Sequence, residues 1–111
     1  MTVTATVLIE SKAASTSNNT EYTSTNLRTI IDKFTAVNTS TTVAASISVS
    51  LVPYSSTVAD NNTIVKTKTL QPLETYTFPE LVGHVLGNGD FISVIATTAT
   101  VTIRSSGRIV T

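Results

Sequence analysis

From Thr42 to Val52 the chain alternates residue by residue. Val43, Ala45, Ile47, Val49 and Leu51 fall on one side, and Thr42, Ala44, Ser46, Ser48 and Ser50 on the other. Side chains of a strand project to opposite faces in turn, so this pattern describes a strand with one buried face and one wet face. A parallel strand is covered on both faces and would be apolar throughout, so the alternation specifies an antiparallel sheet.

The pattern recurs. Thr2–Ile9 would turn Val3, Ala5, Val7 and Ile9 inward, and Ala99–Arg104 would turn Ala99, Val101 and Ile103 inward. Asp90–Ala96 is apolar on both faces and reads as a central strand. Leu27–Asn38 is β-rich, with alternation broken at Asp32-Lys33, which predicts a bulge or a break between two strands. Asn62–Thr69 carries Lys66 and Lys68, the lysines of a strand at a sheet edge. Thr75–Phe78 is a short strand.

Punctuation supports this division. Pro53–Asn62 reads as a loop, and Gln71-Pro72 and Asn88-Gly89 as turns. Pro79–Leu86 is the one helical candidate. Pro79 can take the first helical position, Glu80 suits the positive end, Gly87 can cap the far end, and Leu81, Val82, Val85 and Leu86 would form its buried stripe. Ser11–Asn26 is a low-complexity Ser/Thr/Asn segment with one aromatic, Tyr22, and reads as a long loop or arm that orders against a partner.

A chain of 111 residues fits a single domain, residues 1–111. The expected fold is all-β: a two-sheet antiparallel sandwich with one short helix near residues 79–86. A jelly roll is the expected arrangement and an immunoglobulin-like sandwich the alternative. Serine and threonine make up roughly a third of the chain, far above ordinary usage. Threonine suits strands and can cover a wet sheet face without adding charge.

Seven basic residues balance seven acidic ones. Nothing draws such a chain to nucleic acid or an anionic membrane, and neither partner is expected. There are no cysteines, which removes disulfides, thiolate metal sites and cysteine nucleophiles. Met1–Ile9 reads as a strand and not as a signal peptide.

Candidate chemistry is sparse. His84 is the single histidine, and with Asp90 and a serine it could form a triad. No G-x-S-x-G elbow accompanies it, and a surface histidine is the expectation. Asp60-Asn61-Asn62 offers oxygen ligands for calcium but lacks the spacing of a calcium loop, so an Asx-type turn is expected. Residues 83–89 are glycine-rich and match no phosphate-binding fingerprint. Asn18, Asn38 and Asn61 begin formal glycosylation sequons, read as accidents of composition. Arg104 and Arg108 flank Ser105-Ser106-Gly107, which reads as a strand end and turn. No catalytic residue, metal ligand or cofactor is expected, and the chain is not expected to be an enzyme.

Several phrases together resemble a known family. They are Thr29-Ile30-Ile31-Asp32-Lys33-Phe34-Thr35-Ala36-Val37-Asn38-Thr39, Val49-Ser50-Leu51-Val52-Pro53, the run from Leu73 through Tyr76 and His84 to Leu86, Gly89-Asp90-Phe91-Ile92-Ser93 and Ser106-Gly107-Arg108-Ile109. Over about residues 27–111 the chain resembles the capsid decoration, or staple, proteins of epsilon15-like short-tailed bacteriophages. The resemblance implies a jelly-roll subunit made in the host cytoplasm and bound to the outer capsid surface of the virion. There it would clamp neighbouring copies of the major capsid protein, as a homodimer. The shared phrases are structural and name no contact residues. The alternatives are a head-tail joining or tail accessory protein, and a glycan-binding β-sandwich module. A small hydrolase stands last. Aromatics are 5% of residues, with no tryptophan, which counts against a lectin-like platform.

Overall fold

The computed structural model describes all residues, Met1–Thr111. The chain forms nine strands: β1 Val3–Ala13, β2 Asn19–Thr23, β3 Arg28–Asn38, β4 Ala45–Val52, β5 Thr63–Leu70, β6 Thr75–Thr77, β7 Val85–Gly87, β8 Phe91–Ala96 and β9 Val101–Val110. One sheet has the order β1-β9-β3-β6, with β7 also on β3, and the other has the order β2-β8-β4-β5. Every pairing is antiparallel.

The order follows from a single wrapped hairpin. β4 pairs β5 at its tip, then β3 pairs β6 and β7, β2 pairs β8, and β1 pairs β9. Coiling that ribbon brings β9 onto β3 and β8 onto β4 and divides it into two sheets. This is the jelly roll.

Between the sheets lies one core of 19 buried residues, including Leu8, Ile31, Phe34, Ile47, Val49, Leu70, Phe78, Ile92, Val94 and Ile103. Phe34 and Phe78 meet edge to face, with centroids 5.3 Å apart, and Tyr76 meets Phe78 in the same way at 4.7 Å. Several expectations hold: the central position of β8, the edge position of β5, the loop after Pro53, the turn at Gln71-Pro72 and the bulge at Asp32, where the register shifts between Ile31 and Lys33.

The helix over 79–86 does not form. The chain instead makes two tight turns, with the Leu81 N–H donating to the Phe78 carbonyl and that of His84 to the Leu81 carbonyl. Gly83 sits at φ +88°, outside the helical region. Its N–H donates to the Ile31 carbonyl at 2.7 Å and the Ile31 N–H donates to the His84 carbonyl, so the segment extends a ladder on β3. Leu81 and Leu86 are buried as expected, whereas Val82 and Val85 face solvent.

Four further expectations are corrected. Val3, Ala5 and Val7 lie on the exposed face of β1. Ile9 is buried as expected but Leu8 is buried beside it, because a bulge between Val7 and Ile9 resets the alternation. β4 begins at Ala45, leaving Val43 exposed, and Val52 is buried where Leu51 is only half-buried. Residues 11–26 are not a free arm: they hold the end of β1 and all of β2. An edge strand needs one ladder partner, and β8 supplies it to a segment too polar for a core. β9 runs unbroken through Arg104 and Arg108 to Val110, so Ser105-Ser106-Gly107 is not a turn.

At Gly107 β9 has no room for a side chain between its neighbours. A Cβ there would overlap the Ile30 carbonyl oxygen and crowd the Leu8 Cδ1. Gly107→Ala should therefore destabilise the domain by about 2 kcal/mol or more, read as a lower urea midpoint at unchanged slope.

One end of the sandwich is closed by Asn38, which is fully buried. Its amide donates to the carbonyls of Val43 (2.8 Å) and Leu70 (3.2 Å), and its Oδ1 accepts from the Ser40 N–H and the Thr100 hydroxyl. Its backbone N–H donates to the Glu74 carbonyl, and its own carbonyl accepts from Leu73. Asn38→Ala would strip partners from four polar groups at once. A loss of about 3 kcal/mol or more is expected in equilibrium unfolding.

Candidate functional site

The residues weighed for chemistry are dispersed by the fold. His84 is exposed in the turn before β7. Asp90 is committed elsewhere: its carboxylate accepts from the Gly87 N–H and the Tyr54 N–H, both at 2.9 Å. This ties the loop after β4 to the turn before β8, and the Tyr54 ring lies over Gly89. The Gly87–Asp90 stretch is thus a carboxylate-closed turn.

Asp60-Asn61-Asn62 forms a single 3-10 turn. Asn62 is buried, accepting from the Ala59 N–H and donating to the Thr57 carbonyl, while Asp60 pairs with Lys66 at 2.9 Å. The Asn62 amide oxygen and the Asp60 carboxylate are thus each engaged by groups of the protein, and no three His, Cys, Asp or Glu side chains gather as a metal ion would require. Of the sequons, Asn38 is sealed in the interior, whereas Asn18 and Asn61 are exposed.

The outer face of the β1-β9-β3-β6 sheet is an extended surface built on three long strands. Alternation from the buried residues Phe34, Ala36, Ile103 and Ser105 turns Thr35, Val37, Thr102, Arg104 and Ser106 outward. Cross-strand rows follow from the register: Thr77 beside Thr35 beside Arg104, then Thr75 beside Val37 beside Thr102 beside Ala13. A shallow depression of about 360 Å³ lies here, lined by Ser11, Lys33, Thr35, Thr102, Arg104 and Ser106 among others.

Two arginines are fixed on this face. Arg108 makes a bidentate pair with Asp32, with bonds of 3.0 to 3.2 Å. The bulge in β3 is what turns Asp32 toward it. The hydrogen bonds to Asp32, and then its charge, hold the guanidinium pKa above its ordinary value. Arg104 reaches Glu10 at 3.5 Å and the Ser11 hydroxyl at 3.3 Å. Sequence reasoning missed this role because it ended the strand at Arg104. The four-residue spacing of the two arginines, which puts both on one face of a continuous strand, was the available signal.

The other sheet presents Ser46, Ser48, Ile95 and Thr97 around a second depression of about 340 Å³. At its edge Lys68 lies over the Tyr76 ring, 4.4 Å from the centroid, and the Tyr76 hydroxyl donates to Glu80 at 2.8 Å.

Comparison with known protein families, curated proteins and solved structures finds no match to this chain.

The Tyr76–Glu80 bond has a measurable consequence. It raises the phenol pKa above that of free tyrosine, helped by burial and by the Glu80 charge. A raised folded-state value means that the stabilisation is complete below the ordinary tyrosine pKa and is lost as pH climbs through the folded one. In a Tyr22→Phe/Tyr54→Phe background, absorbance titration should place Tyr76 above free tyrosine, and Glu80→Gln should lower it.

Proposed function

We propose that this protein is a virion structural subunit that binds the outer surface of a capsid shell and clamps neighbouring major capsid proteins. The observation that carries this reading is the outer face of the β1-β9-β3-β6 sheet. Long strands give it an extended, shallow surface paved with threonine, serine, valine and alanine, and its arginines are already held by carboxylates.

Such a face suits docking against another folded surface. β-branched side chains have few rotamers to lose, so ordering them on contact costs little. Hydroxyls can meet backbone groups of a partner without burying charge. The jelly-roll fold and the resemblance of residues 27–111 to decoration proteins agree with this role. As a non-catalytic subunit it would use no cofactor.

A clamp that recognises neighbouring shell subunits binds only their assembled arrangement. Mass action then stabilises that arrangement by about 2.7 kcal/mol per site when free protein is a hundredfold above its dissociation constant. Purified protein added to shells assembled without it should saturate a fixed number of sites and raise the temperature at which shells disrupt. Isolated capsid subunits should bind it weakly. Thr102→Glu, in the middle of the face, should cut uptake roughly tenfold or more while leaving the circular dichroism unchanged. Uptake without heat resistance would remove the clamp. Recovery only at the tail vertex would favour a joining protein, and binding to glycans but not to shells would favour a lectin-like module.

A further inference from the structure

A two-sheet sandwich has exposed edges, and this one blunts all but one. β6 and β7 are three residues each. β2 has five residues, bulged at Glu21, whose carboxylate is tucked into the seam between sheets and held by Lys12 of β1 and by Asn19. β5 is bulged at Lys66-Thr67, with Thr67 at φ +51° and its N–H turned onto the Ser48 hydroxyl. Bulges, short strands and lysines are the usual defences against pairing with another chain.

The first half of β1 has none of these. Thr2–Ile9 contains no charge, no proline and no glycine, and its register on β9 is regular from Val3 to Val7. Val3, Ala5 and Val7 are exposed there, Val3 by 57%. The edge therefore offers both free backbone groups and an apolar stripe.

Which backbone groups are free follows from one pair. Thr2 and Thr111 exchange both hydrogen bonds, at 3.1 and 2.9 Å, so Thr2 points its N–H and C=O at the C-terminal strand. Alternation then points Thr4 and Thr6 the same way and leaves Val3, Ala5 and Val7 directed outward.

The sequence at that edge is a palindrome: Val3-Thr4-Ala5-Thr6-Val7 reads the same from either end. Two copies related by a two-fold axis through Ala5 would set Ala5 against the partner's Ala5, Val3 against the partner's Val7 and Thr4 against the partner's Thr6. Like side chains then meet on each face, the β-branched and Thr–Thr pairs that favour cross-strand packing. The centre of the palindrome is also a residue whose N–H and C=O are free, so Ala5 and its mate can exchange two bonds and each Val3–Val7 pair two more, about six in all.

We infer that the β1 edge, residues Val3–Val7, is an isologous interface at which a second copy of this chain pairs antiparallel to form one continuous sheet across two protomers. A second copy fits better than a foreign strand because the self-match covers both the side chains and the hydrogen-bonding phase. Charged residues enter only at Glu10 and Lys12, beyond the paired stretch. The inference deepens the clamp reading by naming its homodimer contact. It is tested on the free protein, so either can fail without the other.

The wild-type protein should sediment as a dimer with a dissociation constant in roughly the micromolar range, as suits a small interface. Amides of Val3, Ala5 and Val7 should gain hydrogen-exchange protection as concentration rises. Ala5→Lys puts two ammonium groups face to face on the axis, and Ala5→Glu two carboxylates. Each alone should weaken dimerisation roughly tenfold or more, and an equal mixture should recover a heterodimer. Both side chains project to solvent on an exposed strand face, and circular dichroism and thermal melts check that each variant is folded. If A5K fails to fold, the concentration-dependent protection decides alone. A monomer at all concentrations would overturn the inference, as would a dimer indifferent to both substitutions or protection that rises only elsewhere. A monomer that gains protection at these amides only on adding shell protein would assign the edge to a foreign strand.

Discussion

The buried amide of Asn38 is the interaction on which closure of the sandwich depends. A jelly roll passes its chain between sheets at the ends, and carbonyls there leave their ladders while still shielded from water. Each would cost free energy if left unpaired. Asn38 meets those of Val43 and Leu70, from the segment leading into β4 and the end of β5, and draws in Thr100 from the turn before β9. An apolar residue here would leave these bonds unmade, and few polar ones offer two donors and an acceptor from one planar group. The opposite end uses a charged counterpart: the Asp90 carboxylate binds backbone N–H groups from two connections.

Between these closures, curvature comes from bulges. β1, β2, β3, β4 and β5 each take part in a shifted register, and the shifts let long strands bend around a core only two side chains thick. Gly107 lets β9 pass tightly beside β3, because a side chain there would collide with the Ile30 carbonyl. The bulge in β3 also delivers Asp32 to Arg108, so a device that bends the sheet orders the surface as well.

The sequence was most legible where burial is one-sided and unbroken. Ala45 to Val49 and Val101 to Ile103 kept their alternation, though Ala99, expected inward, lies exposed in the turn before β9, and Asp90–Ala96 read as central because both its faces are apolar. Reading failed where a bulge changed the phase. One extra residue left Val7 exposed and buried Leu8 beside Ile9, the one residue of that set that faces inward as expected, and nothing local in a Thr-rich strand announces that slip. Residues 79–86 carried real helix signals at Pro79 and Gly87, but Ile31 offered free backbone groups, and ladder bonds to Gly83 and His84 outweighed local preference. Polarity disguised β2 as an arm, since an edge strand needs little apolar sequence: ladder bonds to β8 and the single ring of Tyr22 packed on the core hold it. On the candidate surface, the threonines were legible as wet-face residues. The pairing of Arg108 with Asp32 was not, because it joins residues far apart in the chain.

The bond pair between Thr2 and Thr111 gives the domain a direction of mechanical weakness. Both chain ends leave side by side at one edge, so tension applied through them opens the β1–β9 ladder one rung at a time, like a zip. Load entering through the sheet faces or along the strands must instead shear many rungs together, because ladder bonds run perpendicular to the strands. A protein of this shape is thus soft to a pull on its tails and stiff to forces spread across its flat sides.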